Sequence, residues 1–339
     1  MMSKLLVTLL AVAAARVAAA APLNVCATIP DLGALVREVG GPEVNVTVFA
    51  KPTEDPHFVE AKPSFLKALS EADLLVLNGL DLEIGWLPVL LKNARNEAVL
   101  AGGRGYLDAA RSITPLDVPG GTIDRSMGDV HGQGNPHYLA DPVNGLRVAT
   151  AIADRLAVLR PEQKSLFTQR LQDFRRRVGA KLVGETLAAK YDVEKLAQLQ
   201  DLGKLDTFLA AQGDAGALGG WLAAMAPYRG APAVDDHPMW PYFAERFGLR
   251  MVGDMEPKPG IPPTTKHLEE LVATMQSEHV RLILASAYYD PRHAQFVAGA
   301  TGARVATMAN LVGSRPGTDD YLATVDYNVR QVVEALGGR

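Results

Sequence analysis

The chain has 339 residues, 48% of them hydrophobic and 21% charged, with a formal net charge of −4. That length favours two domains over one, and the composition is ordinary for a globular protein. A near-neutral charge with no basic cluster interleaved with aromatics excludes a nucleic-acid partner of the usual kind.

Residues 1–21 stand apart. Lys4 is followed by an apolar run broken only by Thr8 and Arg16, and Ala18 to Ala21 offer a small-residue cleavage site. This has the form of a cleavable signal peptide, too short and wrongly flanked for a stable membrane span. The mature chain is therefore expected outside the cytoplasm. Cys26 is the only cysteine, so no intramolecular disulfide can form. Val25 before it is not the small residue a lipid-anchored cysteine needs, and the surrounding run 23–29 reads as a first strand with Cys26 buried in it.

Asp31 is a candidate cap for a helix over 32–39 that stops at Gly40-Gly41. Residues 44–50 alternate and are rich in β-branched side chains, as a second strand does. Helices are expected at 64–72 and 83–93, with strands at 74–77 and 98–101. Strands alternating with helices imply βαβ units and a mainly parallel sheet. Residues 102–134 are glycine-rich and weakly periodic, an irregular excursion of the kind that is usually functional. From 142 the pattern turns helical. Phe167, Leu171, Phe174, Val178 and Leu182 form one apolar stripe in a helix predicted to run from Pro161 to about Tyr191, long enough to join two lobes.

A second lobe begins near Asp192 and resumes alternation, with strands at 231–234, 249–253, 282–285 and 304–308 and helices between and after them. The predicted organisation is thus an α/β first lobe over 22–141, linking helices over 142–191 and an α/β second lobe over 192–339. Each lobe is expected to be a mainly parallel sheet with flanking helices. No sequence repeat relates them.

Three of the seven histidines sit on stiff corners: Asp55-Pro56-His57-Phe58, Gly134-Asn135-Pro136-His137-Tyr138 and Asp235-Asp236-His237-Pro238. An adjacent proline restricts the backbone, so each imidazole is held rather than dangled. Two corners belong to the first lobe and one to the second. His57 and His237 follow strands, at the edge where open α/β sheets bind ligands. Converging in a cleft, three neutral imidazoles suit zinc. His267, His279 and His293 read as surface residues. His131, six positions before His137, reads as surface too, with accessory metal capture as its alternative.

Around these corners the sequence resembles a known family. Asp55-Pro56-His57, Ala72-Asp73-Leu74-Leu75-Val76-Leu77-Asn78-Gly79-Leu80, Asn135-Pro136-His137-Tyr138-Leu139-Ala140-Asp141-Pro142 and His237-Pro238-Met239-Trp240-Pro241-Tyr242-Phe243-Ala244 are similar to signatures of the metal-binding solute receptors of bacterial ABC importers, the cluster A-I zinc and manganese family. The resemblance covers essentially the whole mature chain. It implies two α/β lobes joined by a long rigid helix and metal held between them. It also implies a periplasmic monomer that delivers its ion to an inner-membrane permease and catalyses nothing. By resemblance His57, His137 and His237 are the ligands, and a histidine rather than a glutamate at the third position goes with zinc over manganese.

Two departures stand out. The family's late aspartate ligand is missing from Met308-Ala309-Asn310-Leu311-Val312-Gly313, which leaves the fourth position to Asp290, Glu256 or water. The long His-rich acidic loop of zinc receptors is also absent, with only Asp129 and His131 in its place. Asp141 and Asn144 are candidates to orient a ligating imidazole, since a metal-bound ring donates its other N–H to a neighbour; for Asp141, helix capping is the alternative. Three histidines and a water are also a catalytic zinc pattern, so a secreted hydrolase is the rival class, although no His-Glu-x-x-His helix is present. A manganese or iron receptor would need more oxygen ligands.

Overall fold

The computed structural model describes residues 21–121, 131–256 and 260–337. The export segment expected over 1–21 lies outside them except for Ala21, as does Asp129.

The first lobe alternates strand and helix: β1 (Leu23–Ala27), α1 (Pro30–Gly40), β2 (Val44–Val48), α2 (Pro63–Ser70), β3 (Leu74–Leu77), α3 (Leu87–Ala94) and β4 (Tyr106–Asp108). They form one parallel sheet of order β2-β1-β3-β4. All four residues of central β3 are buried, whereas edge strand β2 alternates, as expected where helices cover both faces of the sheet centre. Two sequence expectations give way here. Residues 97–99 form a single 3-10 turn capped by the Asn96 side chain, and the fourth strand is β4, beyond it. A four-residue apolar run carries no period that separates strand from helix. Asp31 does not cap α1, which starts at Pro30; its buried carboxylate instead accepts the N–H of Val312, in the second lobe, at 3.2 Å.

Next come α4 (Pro142–Leu159), α5 (Lys164–Val183) and α6 (Glu185–Lys190). The helix expected to reach Tyr191 is broken at Gly184, whose φ is +87°. Glycine adopts that conformation at no steric cost. A Cβ there would also lie 3.0 Å from the Cα of Gly219. The predicted stripe from Phe167 to Leu182 is buried. Helix α5 packs on α1, α4 and α9, and at 1.5 Å per residue its length is about 30 Å.

In the second lobe, α7 (Val193–Asp201), α8 (Leu205–Ala211) and α9 (Gly220–Met225) replace the expected early alternation. There follow β5 (Pro232–Asp235), α10 (Pro241–Phe247), β6 (Arg250–Asp254), α11 (Thr265–Ser277), β7 (Leu282–Ala285), α12 (Pro291–Thr301), β8 (Arg304–Thr307) and α13 (Tyr321–Gly337). The sheet order β6-β5-β7-β8 repeats the topology of the first sheet, again all parallel. One continuous core runs through the first lobe, the linking helices and one face of the second sheet. A smaller cluster including Val234, Leu271, Met275, Ile283 and Val297 packs under α11 and α12.

Candidate metal centre

Each site histidine is fixed by its own corner. His57 lies in a one-turn 3-10 helix, Pro56–Phe58. The Asp55 carboxylate accepts both the His57 backbone N–H at 3.0 Å and its Nδ1–H at 2.7 Å. Burial raises the Asp55 pKa, but the hydrogen bonds and charge of His57 outweigh it and the carboxyl stays below its ordinary range. Trp86 Nε1 donates to the Pro56 carbonyl at 3.0 Å and pins the corner from behind. With Nδ1 spoken for, Nε2 is the atom His57 offers.

His137 is held by a relay. Asn135 Oδ1 accepts the His137 N–H at 2.9 Å, while Asn135 Nδ2 donates to the Pro238 carbonyl at 2.7 Å. One side chain thus ties the His137 corner to the His237 corner across the lobes. Asn78 Nδ2 donates to the Pro136 carbonyl at 3.0 Å, and Tyr138 Oη donates to the Asn78 carbonyl at 2.7 Å. The Asn78-Gly79 turn is itself held by buried Glu83, whose oxygens accept the two backbone N–H groups at 2.6 and 3.1 Å; burial pushes that carboxyl up to about 7.

His237 stacks on Tyr289, with ring centroids 5.7 Å apart and planes 23° from parallel. Its Nδ1 is 3.7 Å from Glu256 Oε2, beyond hydrogen-bond reach.

These three imidazoles meet. One ring nitrogen from each of His57, His137 and His237 lies within 4.8 Å of the others, and the ring centroids are 5.7, 5.9 and 5.4 Å apart. His137 Nε2 and His237 Nδ1 are buried with no hydrogen-bond partner, an arrangement that is costly unless something else occupies the lone pair. Burial first, and then the adjacent histidines, hold the His137 pKa well below its ordinary value, so the ring is a neutral donor at neutral pH.

The other expected residues fall elsewhere. Asp290 caps α12 and is ion-paired with Arg292, which holds its carboxyl at about 2; it is not among the clustered ligand atoms. Asp141 caps α4 and receives a two-pronged bond from Arg246 at 3.0 and 2.9 Å, so both its oxygens are engaged away from any imidazole. Asn144 donates to the Tyr138 carbonyl and accepts from Arg147. Glu256 alone of the proposed acids stands beside a site histidine. His131, expected at the surface, is half-buried with its Nε2 3.0 Å from His57 Nε2. Asp55 and Tyr289 were not anticipated. A residue two positions before a ligand and separated from it by proline is placed to close a side-chain turn, and that was the signal for Asp55.

Two similar parallel-sheet lobes with imidazoles gathered between them define a metal-binding solute receptor. Comparison with known proteins agrees. The profile of the family described as "Zinc-uptake complex component A periplasmic" matches residues 25–183 and 216–335. The chain belongs to that family, whose members are solute-binding receptors and not enzymes.

Among curated relatives, the manganese ABC transporter substrate-binding lipoprotein scaA of Streptococcus gordonii is 26% identical over 155 residues, which is 45% of this chain and 46% of that protein. The chain spans about half the length of such relatives. The metal ABC transporter substrate-binding lipoprotein SloC of Streptococcus mutans is 22% identical over 93% of this chain and 90% of its own. A zinc-bound crystal structure of a ZnuA deletion mutant superposes with a TM-score of 0.67 at 24% identity, over 93% of this chain and 98% of that one, and so shares the fold. Here Cys26 lies buried within β1, where burial pushes the thiol up to about 12. No helix among the described residues is long and apolar enough to cross a membrane.

Proposed function

We propose that this chain captures Zn2+ in the periplasm, between its two lobes, and hands it to an inner-membrane ABC permease, acting as a monomer after removal of its signal peptide. His57 and His137 bind from the first lobe and His237 from the second. The observation that carries the reading is the convergence of three imidazoles, two with buried nitrogens that nothing else satisfies. An all-nitrogen donor set favours zinc over manganese, which prefers carboxylate and carbonyl oxygens. Asp55 completes the carboxylate–histidine–metal arrangement that orients a ligating ring.

A manganese receptor is the second reading. Several relatives bear manganese in their names, and the Glu256 carboxylate could supply an oxygen from its place beside His237.

Metal analysis of the purified mature protein and a His237→Ala variant, with zinc and manganese offered in competition, tests both. One equivalent of zinc, retained by the native protein and lost or greatly weakened in the variant, is the expected result. Manganese selectivity would move the reading to the second. Tight zinc binding unaffected by the substitution would end the inter-lobe model.

A further inference from the structure

We infer that His131 is the fourth zinc ligand, closing the site with a fourth imidazole where relatives of this fold carry an acid that this chain lacks. The inference rests on the zinc-site reading above and assigns its remaining coordination position.

Proton placement argues for it first. His57 gives its Nδ1–H to Asp55, so its Nε2 presents a lone pair. His131 Nε2 faces that lone pair at 3.0 Å. The His131 ring also hydrogen-bonds the Leu80 backbone in a way that favours its charged form, which marks a carbonyl acceptor. A carbonyl only accepts, so the single N–H of a neutral His131 is taken up there. Burial, ahead of the neighbouring histidines, keeps that ring neutral, with its pKa down at about 3. Two lone pairs then face each other across the gap, and a cation between them removes the conflict. On a tetrahedral zinc with bonds of 2.0–2.1 Å, two ligand nitrogens stand about 3.3 Å apart, within a few tenths of the observed separation.

The second argument is that the segment carrying His131 is fastened, not loose. Gln133 Nε2 donates to Asp81 Oδ1 at 3.1 Å, and the Gly134 N–H closes a turn on the His131 carbonyl at 3.2 Å. Gly134 has φ +113°, and a Cβ there would come within 2.6 Å of Pro115 Cβ and 2.8 Å of the Leu116 carbonyl. The Asn135 N–H bonds that same carbonyl at 2.8 Å. On the facing wall Leu80 and Asp81 both have left-handed φ, +51° and +62°. Leucine seldom adopts that conformation, and such backbone persists where the surroundings require it. Loop and wall together fix His131 against His57, and the same short turn leads directly to His137.

An imidazole-nitrogen NMR spectrum of 15N-histidine-labelled protein, recorded with and without one equivalent of zinc, tests this, with His131→Ala used to assign the ring. Four rings are expected to move to the metal-bound position in the native protein and three in His131→Ala, whose zinc dissociation constant should rise roughly 10- to 100-fold. If the rings of His57, His137 and His237 move while that of His131 keeps its free signal, the inference is overturned and the zinc-site reading stands, whatever the variant's affinity. If no ring moves, the zinc-site reading itself fails.

Discussion

At the residue scale, what makes these histidines metal-ready is the fate of their protons. Asp55 takes the Nδ1–H of His57, and burial withholds a second proton from His137. A ligand with an ordinary imidazole pKa near 6.5 costs about 1.5 decades of metal affinity at pH 5, so three would cost about 4.5. His137 is depressed well below that value, so it stays unprotonated as pH falls from 7 to 5 and costs nothing there. Affinity should therefore still decline on acidification, as reference imidazole behaviour predicts below about pH 6, but by no more than about 3 decades between pH 7 and 5. Chelator competition at the two pH values checks this, and a loss of the full 4.5 decades would contradict it. The corner histidines could be found in the chain because proline marks the turns and strand ends lead into two of them. His131 could not: its contact is with a residue 74 positions away, and no local pattern encodes it.

At the level of elements, the N-terminus of α4 depends on a glycine. A Cβ on Gly145 would lie 2.2 Å from the Tyr321 hydroxyl, which donates to the carbonyl of Leu139 at 2.7 Å and also reaches that of Asp141 at 3.2 Å. Alanine is worth about 1 kcal/mol over glycine in an open helix. Here it must displace a buried tyrosine from α13 and strand two carbonyls, at about 1–3 kcal/mol for each of these effects. Gly145→Ala should thus lose about 2 kcal/mol in urea unfolding, and a gain in stability would refute the packing argument. The same contrast between local and distant causes explains which elements were readable. Strands β3 and β7 occur where expected to the residue, because buried central strands are short apolar runs flanked by polar or turn-forming residues. The break at Gly184 was missed because the pattern on either side remains helical; the reason for it is the close approach of Gly219. Residues 98–101 were misread because the Asn96 side chain bonds the Ala98 N–H and starts a turn there.

At the scale of the whole molecule, the lobes are already joined around the site. Tyr242 of the second lobe donates to the Asn135 carbonyl at 2.8 Å and accepts the Leu116 N–H at 2.9 Å. Asn135 returns a bond to Pro238, Asp31 receives Val312, and buried Arg246 on α10 grips Asp141 at the start of α4 while also holding Asp201 at 2.6 Å. Removing one partner of such a buried pair costs about 3–5 kcal/mol, because the other charge is left uncompensated. Wide opening would break several of these contacts at once, and α5, a continuous 20-residue helix packed against α1 and α9, offers no loop hinge for it. Receptors that close like a trap rotate about a few loop residues. This one should change little: solution X-ray scattering with and without zinc is expected to give superimposable curves. For a compact chain of this length the radius of gyration is about 20 Å. A contraction of about 1 Å or more on adding zinc would show that the inter-lobe bonds are made by the metal-bound form alone, and that the gathered imidazoles are a product of closure, not its template.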